Sequence, residues 1–238
     1  MQDDKRIALL LTGNLRTWDL CKESFIKTFS DNIDIFICVS NLKYDYAPYI
    51  QENYTGADEY NLSETDIKNS FDGLNLKKLI IQNKEEEVSY ISIEQHKFKM
   101  DVSGINVFGT FGNVYKIKKA LSLVEEYENE QGFKYDTIIK TRFDAIYNQF
   151  NLNLSNESIL IDRGNCFPND HFLMANRNSM ANLINFMHDE FYEPKHETSH
   201  FQPPHGLLHN AIYETGLKVE TGSLINHILR KDYGPQHY

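Results

Sequence analysis

The segment Lys140-Thr141-Arg142-Phe143-Asp144 places a cation and a carboxylate two residues apart, directly after the apolar pair Ile138-Ile139. Successive side chains of a strand point to opposite faces, so Arg142 and Asp144 share one side while Phe143 packs the other way. A guanidinium grips phosphate oxygens by a two-pronged hydrogen bond, and a carboxylate can hold Mg2+ or Mn2+ against the same oxygens. The pair therefore suits a diphosphate ester, with Asp144 as the metal-ligand candidate. An ion pair closing a strand end is the competing reading.

A second carboxylate, Asp170, follows Pro168-Asn169 and precedes the run Phe172-Leu173-Met174-Ala175, which places it at the start of a predicted strand. A carboxylate so placed can take the proton of an attacking hydroxyl, the alternative being an ordinary solvated loop. Eight of the 9 histidines lie from His171 onward. His205 and His209 are four apart and would face the same way on a helix, but no HExxH and no clear third ligand accompany them. His171 and His205 are therefore taken as candidates for lining a ligand cleft, an ordinary surface being the alternative.

These residues need elements to hold them. Ile7-Ala8-Leu9-Leu10-Leu11 reads as a buried parallel strand leaving its sheet at Thr12-Gly13-Asn14. Trp18, Cys21, Phe25 and Phe29 recur at helical steps, and Ile33 to Val39 makes a second strand. The polar stretch 41–72 is expected to be loop with one or two short helices, Leu79-Ile80-Ile81 a third strand, and 85–111 a mobile connection. Asn113 is expected to cap a helix carrying Val114, Ile117, Leu121 and Val124 on one face, with Gly132 just beyond its end. Asp136 to Tyr147 reads as one strand. Further helices are predicted from about Ser179 to before Pro194, and from Pro203-Pro204 to Gly216.

Strands alternating with helices imply a single α/β domain over 1–238, built on an open, mostly parallel twisted sheet with helices on both faces. Ligands bind such sheets at the carboxyl ends of the strands, here Thr12 to Arg16, Val39 to Asn41 including Ser40, and Arg142 to Asp144.

Composition removes several classes. Over 238 residues the net charge is -10 and no basic block occurs, which argues against general nucleic-acid binding. Three cysteines without CxxC spacing suggest neither a disulfide framework nor a zinc site. No run approaches a membrane span and the first apolar run is too short for a signal peptide core, so a cytoplasmic protein is expected. The 14 Tyr and 15 Phe leave open a non-catalytic carbohydrate-binding face, while the lack of GxxxxGK[ST] counts against other nucleotide-dependent transferases of the P-loop type.

Three segments carry a resemblance: Leu10-Leu-Thr-Gly-Asn-Leu-Arg-Thr-Trp18, the stretch from Asn113-Val-Tyr-Lys-Ile-Lys-Lys-Ala to Ile138-Ile-Lys-Thr-Arg-Phe-Asp144, and Asn169-Asp-His-Phe-Leu-Met-Ala-Asn-Arg-Asn-Ser-Met180. Together they resemble glycosyltransferases of surface-polysaccharide loci and large DNA viruses, which are similar to the GT-A (Rossmann-like) fold. The resemblance implies a nucleoside diphosphate sugar as donor and a hydroxyl of a glycan or other acceptor, transfer of a hexosyl or deoxyhexosyl group, and Asp170 binding the sugar or the acceptor; the residues themselves leave inversion and retention open, and inversion with Asp170 as base is the reading adopted. It also implies a nucleotide pocket lined by Thr12, Gly13 and Arg16, and a Mn2+ or Mg2+ ion at a strand-end DxD. Here Arg142 stands at the first Asp of that motif and only Asp144 remains.

Overall fold

The computed structural model describes residues 5–15, 17–29, 32–41, 62–83, 107–149, 154–155, 157–163, 170–192, 204–230 and 234–237. The first apolar run becomes β1 (Ile7–Gly13), paired in parallel with β2 (Ile33–Ser40) on one edge and β4 (Thr137–Thr141) on the other. A strand paired on both edges and covered on both faces has no solvent side, which is why its sequence is continuously apolar rather than alternating. With β3 (Leu76–Gln82), β6 (Ser158–Asp162), β7 (Leu173–Asn176) and β8 (Lys218–Gly222), these strands form a seven-stranded sheet of order β3-β2-β1-β4-β7-β6-β8. β7 alone runs against its neighbours, pairing antiparallel with β4 and β6. The expected mostly parallel α/β sheet is present.

Residue parity assigns the two faces. Ala8 and Leu10 of β1, with Phe36, Cys38 and Ile138, pack under α3 (Val107–Gln131), α4 (Arg177–Tyr192) and α5 (Pro204–Thr215). Ile7, Leu9 and Leu11 face α1 (Trp18–Thr28) and α2 (Glu64–Ser70). That second face is shared with a small antiparallel sheet of β5 (Ala145–Tyr147), β9 (Ile225–Arg230) and β10 (Gly234–His237). Asp162 Oδ1 fastens the two sheets by accepting from the backbone N–H groups of Leu224, at 2.8 Å, and Ile225, at 3.0 Å.

Three expectations are corrected. Asp136 to Tyr147 is not one strand: β4 ends at Thr141, a turn covers 142–144, and β5 joins the other sheet by pairing with β9. The chain changes sheets because Phe143 turns down into the aromatic cluster on the α1 face, edge-on to Trp18 at 5.9 Å. The helix expected to start at Asn113 starts at Val107, so Asn113 is interior and no cap, and Gly109 and Gly112 lie in helix rather than in a mobile connection. Each glycine costs a helix interior about 1 kcal/mol, and packing of α3 across β1, β2 and α4 overrides that weak preference. The next helix, α4, starts at Arg177, two residues early, with Asn176 Oδ1 accepting from Ser179 N at 2.9 Å as a cap in the turn. The remainder of the loops expected at 41–72 and 85–111 lies outside the described residues, apart from α2 and the structured stretches that flank it. Gly216, at φ 68°, closes α5 as expected.

Trp18 pins the start of α1 to α2. It stacks on Phe71 at 4.5 Å, meets Phe25 edge-on at 5.2 Å, and donates Nε1–H to Ser70 Oγ at 3.0 Å. Trp18→Ala is expected to destabilise the protein by about 3–5 kcal/mol, measured by urea unfolding.

Candidate active site at the carboxyl ends of β1 and β4

The chain lays down β1, β2 and β3 in one direction across the sheet and then returns to place β4 on the far side of β1. Ligands of open α/β sheets bind in the crevice outside the carboxyl ends at such a switch point. Gly13, at φ 123°, turns the chain out of β1 there, a conformation that side chains other than glycine's rarely adopt. The turn 142–144 stands opposite.

Both oxygens of Asp144 accept from Arg142, Oδ1 from Nε at 2.7 Å and Oδ2 from Nη2 at 2.7 Å. The Asp144 side chain is only 4% exposed and that of Arg142 22%, so the guanidinium is the face of this pair that solvent can reach. The expected companionship of the two residues holds, but through a turn and a two-pronged ion pair rather than through strand alternation. Tyr147 clamps the turn: its hydroxyl donates to Arg142 O at 2.6 Å and lies 2.9 Å from Thr141 Oγ1. Burial pushes the Tyr147 phenol well above its ordinary range, so it remains a proton donor.

Behind the turn, Lys140 pairs in register with Leu10 and is 1% exposed. Its Nζ donates to the Asp170 carbonyl and lies 3.8 Å from Asp170 Oδ2. Asp170 Oδ2 also accepts from Asn113 Nδ2 on α3. Burial lowers the Lys140 ammonium to about 8; Asp170 opposes that shift, Arg142 adds to it and Asp144 opposes it. Burial, followed by the charge of Arg142, drives His171 far below the usual imidazole range, so this ring is neutral at physiological pH. The Cys21 thiol is pushed up to about 11 by burial and is no nucleophile.

Thus Arg142, Asp144, Asp170 and His171 converge, the charges of the first three all acting on the ring, and Thr12 is buried near the end of β1, one residue beyond the Leu11–Thr141 pair. Ser40 is buried at the end of β2. Arg16 lies outside the described residues. His205 falls within α5, with its side chain outside them, and His209 is exposed. Lys140, Asn113 and Tyr147 went unassigned in the sequence. A charged residue closing an apolar strand was the available signal for Lys140, whereas Asn113 was masked by its suitability as a cap.

A divalent ion at Asp144 fits this donor set poorly. Cations of this class bind through carboxylate oxygens, and both oxygens of Asp144 already face a guanidinium that would repel the ion.

No protein-family model and no curated protein matches the chain. Solved structures of similar shape include a galactosyltransferase, LgtC, in complex with donor and acceptor sugar analogues, at 12% identity and TM-score 0.48 over 90% of this chain and 73% of that one. The glycosyltransferase GlyE of Streptococcus pneumoniae TIGR4 is 12% identical with TM-score 0.43 over 92% of this chain, which spans 45% of GlyE. A nucleoside-diphosphate-sugar pyrophosphorylase of Vibrio cholerae RC9 is 10% identical with TM-score 0.44 over 90% of each chain. Among the described residues, no helix is long and apolar enough to cross a membrane.

Lys140 makes a pH signature. Its folded pKa lies below the unfolded one, so between about 8 and 10.5 the unfolded chain holds a proton that the folded chain has shed. Its contribution to stability therefore rises with pH across that window. Chemical denaturation of the protein and of Lys140→Met at a series of pH values is expected to show this rise in the former and its loss in the latter.

Proposed function

We propose that the chain is a glycosyltransferase that moves a sugar from a nucleoside diphosphate sugar to a hydroxyl, with Arg142 rather than a resident metal ion meeting the charge of the diphosphate. The observation that carries this reading is the two-pronged Arg142–Asp144 pair, presented by a buried turn at the switch-point crevice. Resemblance of the three sequence segments to glycosyltransferases supports it as well.

In this reading the donor lies across the carboxyl ends of β1 and β4. The bond between the anomeric carbon and the diphosphate oxygen breaks, its electron pair stays with the diphosphate, and Arg142 stabilises the growing negative charge. Asp144 holds the guanidinium in the required orientation, and the buried Lys140 adds positive potential from behind. The acceptor oxygen attacks the anomeric carbon from the opposite side, with inversion, and Asp170 is the carboxylate offered to its proton. The acceptor is a glycan or another hydroxyl compound, and His171 contributes a neutral ring beside it. Such a transfer suits polysaccharide assembly. A non-catalytic carbohydrate-binding face gains less support, because Trp18, Phe25, Phe29, Phe36, Phe71 and Phe143 are all buried in the core.

Hydrolysis of UDP-, GDP- and TDP-sugars, followed as release of the nucleoside diphosphate with EDTA or with Mn2+, tests the reading. One donor class is expected to be cleaved in the presence of EDTA. Arg142→Ala is expected to slow cleavage by roughly 100- to 1000-fold, the cost of removing one positioned donor to a developing oxyanion. Failure to cleave any donor overturns the transferase. Cleavage that EDTA abolishes and Mn2+ restores returns the metal to Asp144.

A further inference from the structure

Buried polar side-chain atoms almost always have a hydrogen-bond partner, and an orphan points to something missing. Among the described residues, four atoms without one collect at the carboxyl ends of β1 to β3: Thr12 Oγ1, Asn41 Oδ1, and both Nε2 and Oε1 of Gln82. Gln82 is 0% exposed, and leaving both ends of a buried amide unsatisfied carries the full desolvation penalty of each.

Sheet register places these groups. Gln82, the last residue of β3, pairs with Ser40, the last of β2, while Ile80 pairs with Cys38 and Thr12 with Cys38. Paired residues of parallel strands share a face, so Thr12, Ser40 and Gln82 lie on the side of the sheet that carries Cys38 and Ile80, the α3 side. Lys140, in register with Leu10, lies on that side too. A polar row therefore runs from β3 across β2 and β1 to the cationic end of β4. From Lys140, level with Leu10, Phe36 and Lys78, the row crosses three strand spacings, roughly 14 Å, and climbs four residues, about 13 Å, to Gln82.

We infer that Gln82 reads the base of the nucleotide, its amide pairing with a hydrogen-bonding edge that presents one donor beside one acceptor, while the diphosphate reaches Arg142. Thr12 supplies a further acceptor along the same row, suited to a ribose or base hydrogen. This rests on the transferase reading, since it assigns the base subsite of the same donor.

The test compares the affinities of UDP, GDP, TDP, CDP and ADP, and of inorganic pyrophosphate, for the full chain and for Gln82→Leu. The tightest nucleoside diphosphate is expected to weaken by roughly 5- to 150-fold in the variant, the value of a two-point contact to a base, with pyrophosphate unchanged. The melting temperature of the ligand-free variant is expected to hold or rise, because no hydrogen bond is lost. Unchanged nucleotide affinity in Gln82→Leu, an equal loss for pyrophosphate, or a fall in melting temperature overturns the assignment. A wild-type chain that binds pyrophosphate and every nucleoside diphosphate alike overturns it as well, whereas one that binds none of them overturns the transferase reading itself.

Discussion

Burying a lysine inside a sheet is costly, and much of the candidate site follows from how that cost is met. Lys140 sits at 1% exposure on the last turn of pleat before β4 ends, where an isolated ammonium would pay a large desolvation penalty. Asp170 offsets it twice over, through its carbonyl and through its carboxylate. Both contacts require the chain to bring the start of β7 against the end of β4, and the antiparallel β4–β7 pairing does so. Asn113 then ties α3 to the same carboxylate. One buried charge thereby couples a parallel strand, the reversed strand beside it, and the longest helix.

The turn after Lys140 extends this charge balance towards solvent. Two cations, Lys140 and Arg142, stand with two carboxylates, Asp144 and Asp170, in a region of low polarity where each pair is strengthened by poor screening. Phe143, between the two members of the outer pair, is held in the aromatic cluster around Trp18 and Phe71, so the backbone of the turn has little freedom. Tyr147 adds a hydrogen bond to the Arg142 carbonyl from the far side. A guanidinium fixed in this way has the alignment of its donors settled by the fold itself.

Legibility in the sequence varied with the range of the interaction that decided each feature. β1, α1 and β2 were readable because burial on two faces or on one stripe writes itself directly into apolar periodicity. The position of Arg142, Asp144 and Asp170 at the ends of apolar runs was also readable, since charged residues stand out there. The break between β4 and β5 was not, because Ile138 to Tyr147 keeps strand-like composition throughout and only its partners, β1 on one side and β9 on the other, divide it. The start of α3 was missed for a related reason: Gly109 and Gly112 disfavour helix locally, and contacts with distant strands supply what local propensity lacks.

By itself, then, the amino-acid sequence determined which segments are apolar enough to build a layered α/β sheet, and which charged side chains had to end up at the edges of that sheet. Those properties are local and follow from hydrophobic spacing. Only the tertiary structure decided the partners: that Asp144 is engaged by Arg142 rather than left open, that Asp170 answers Lys140, and that Gln82 is buried with neither end of its amide satisfied among the described residues. Pairing energies depend on distance and on the exclusion of water, and residues 30 or 57 positions apart acquire both only when the strands are in register and the helix is laid across them.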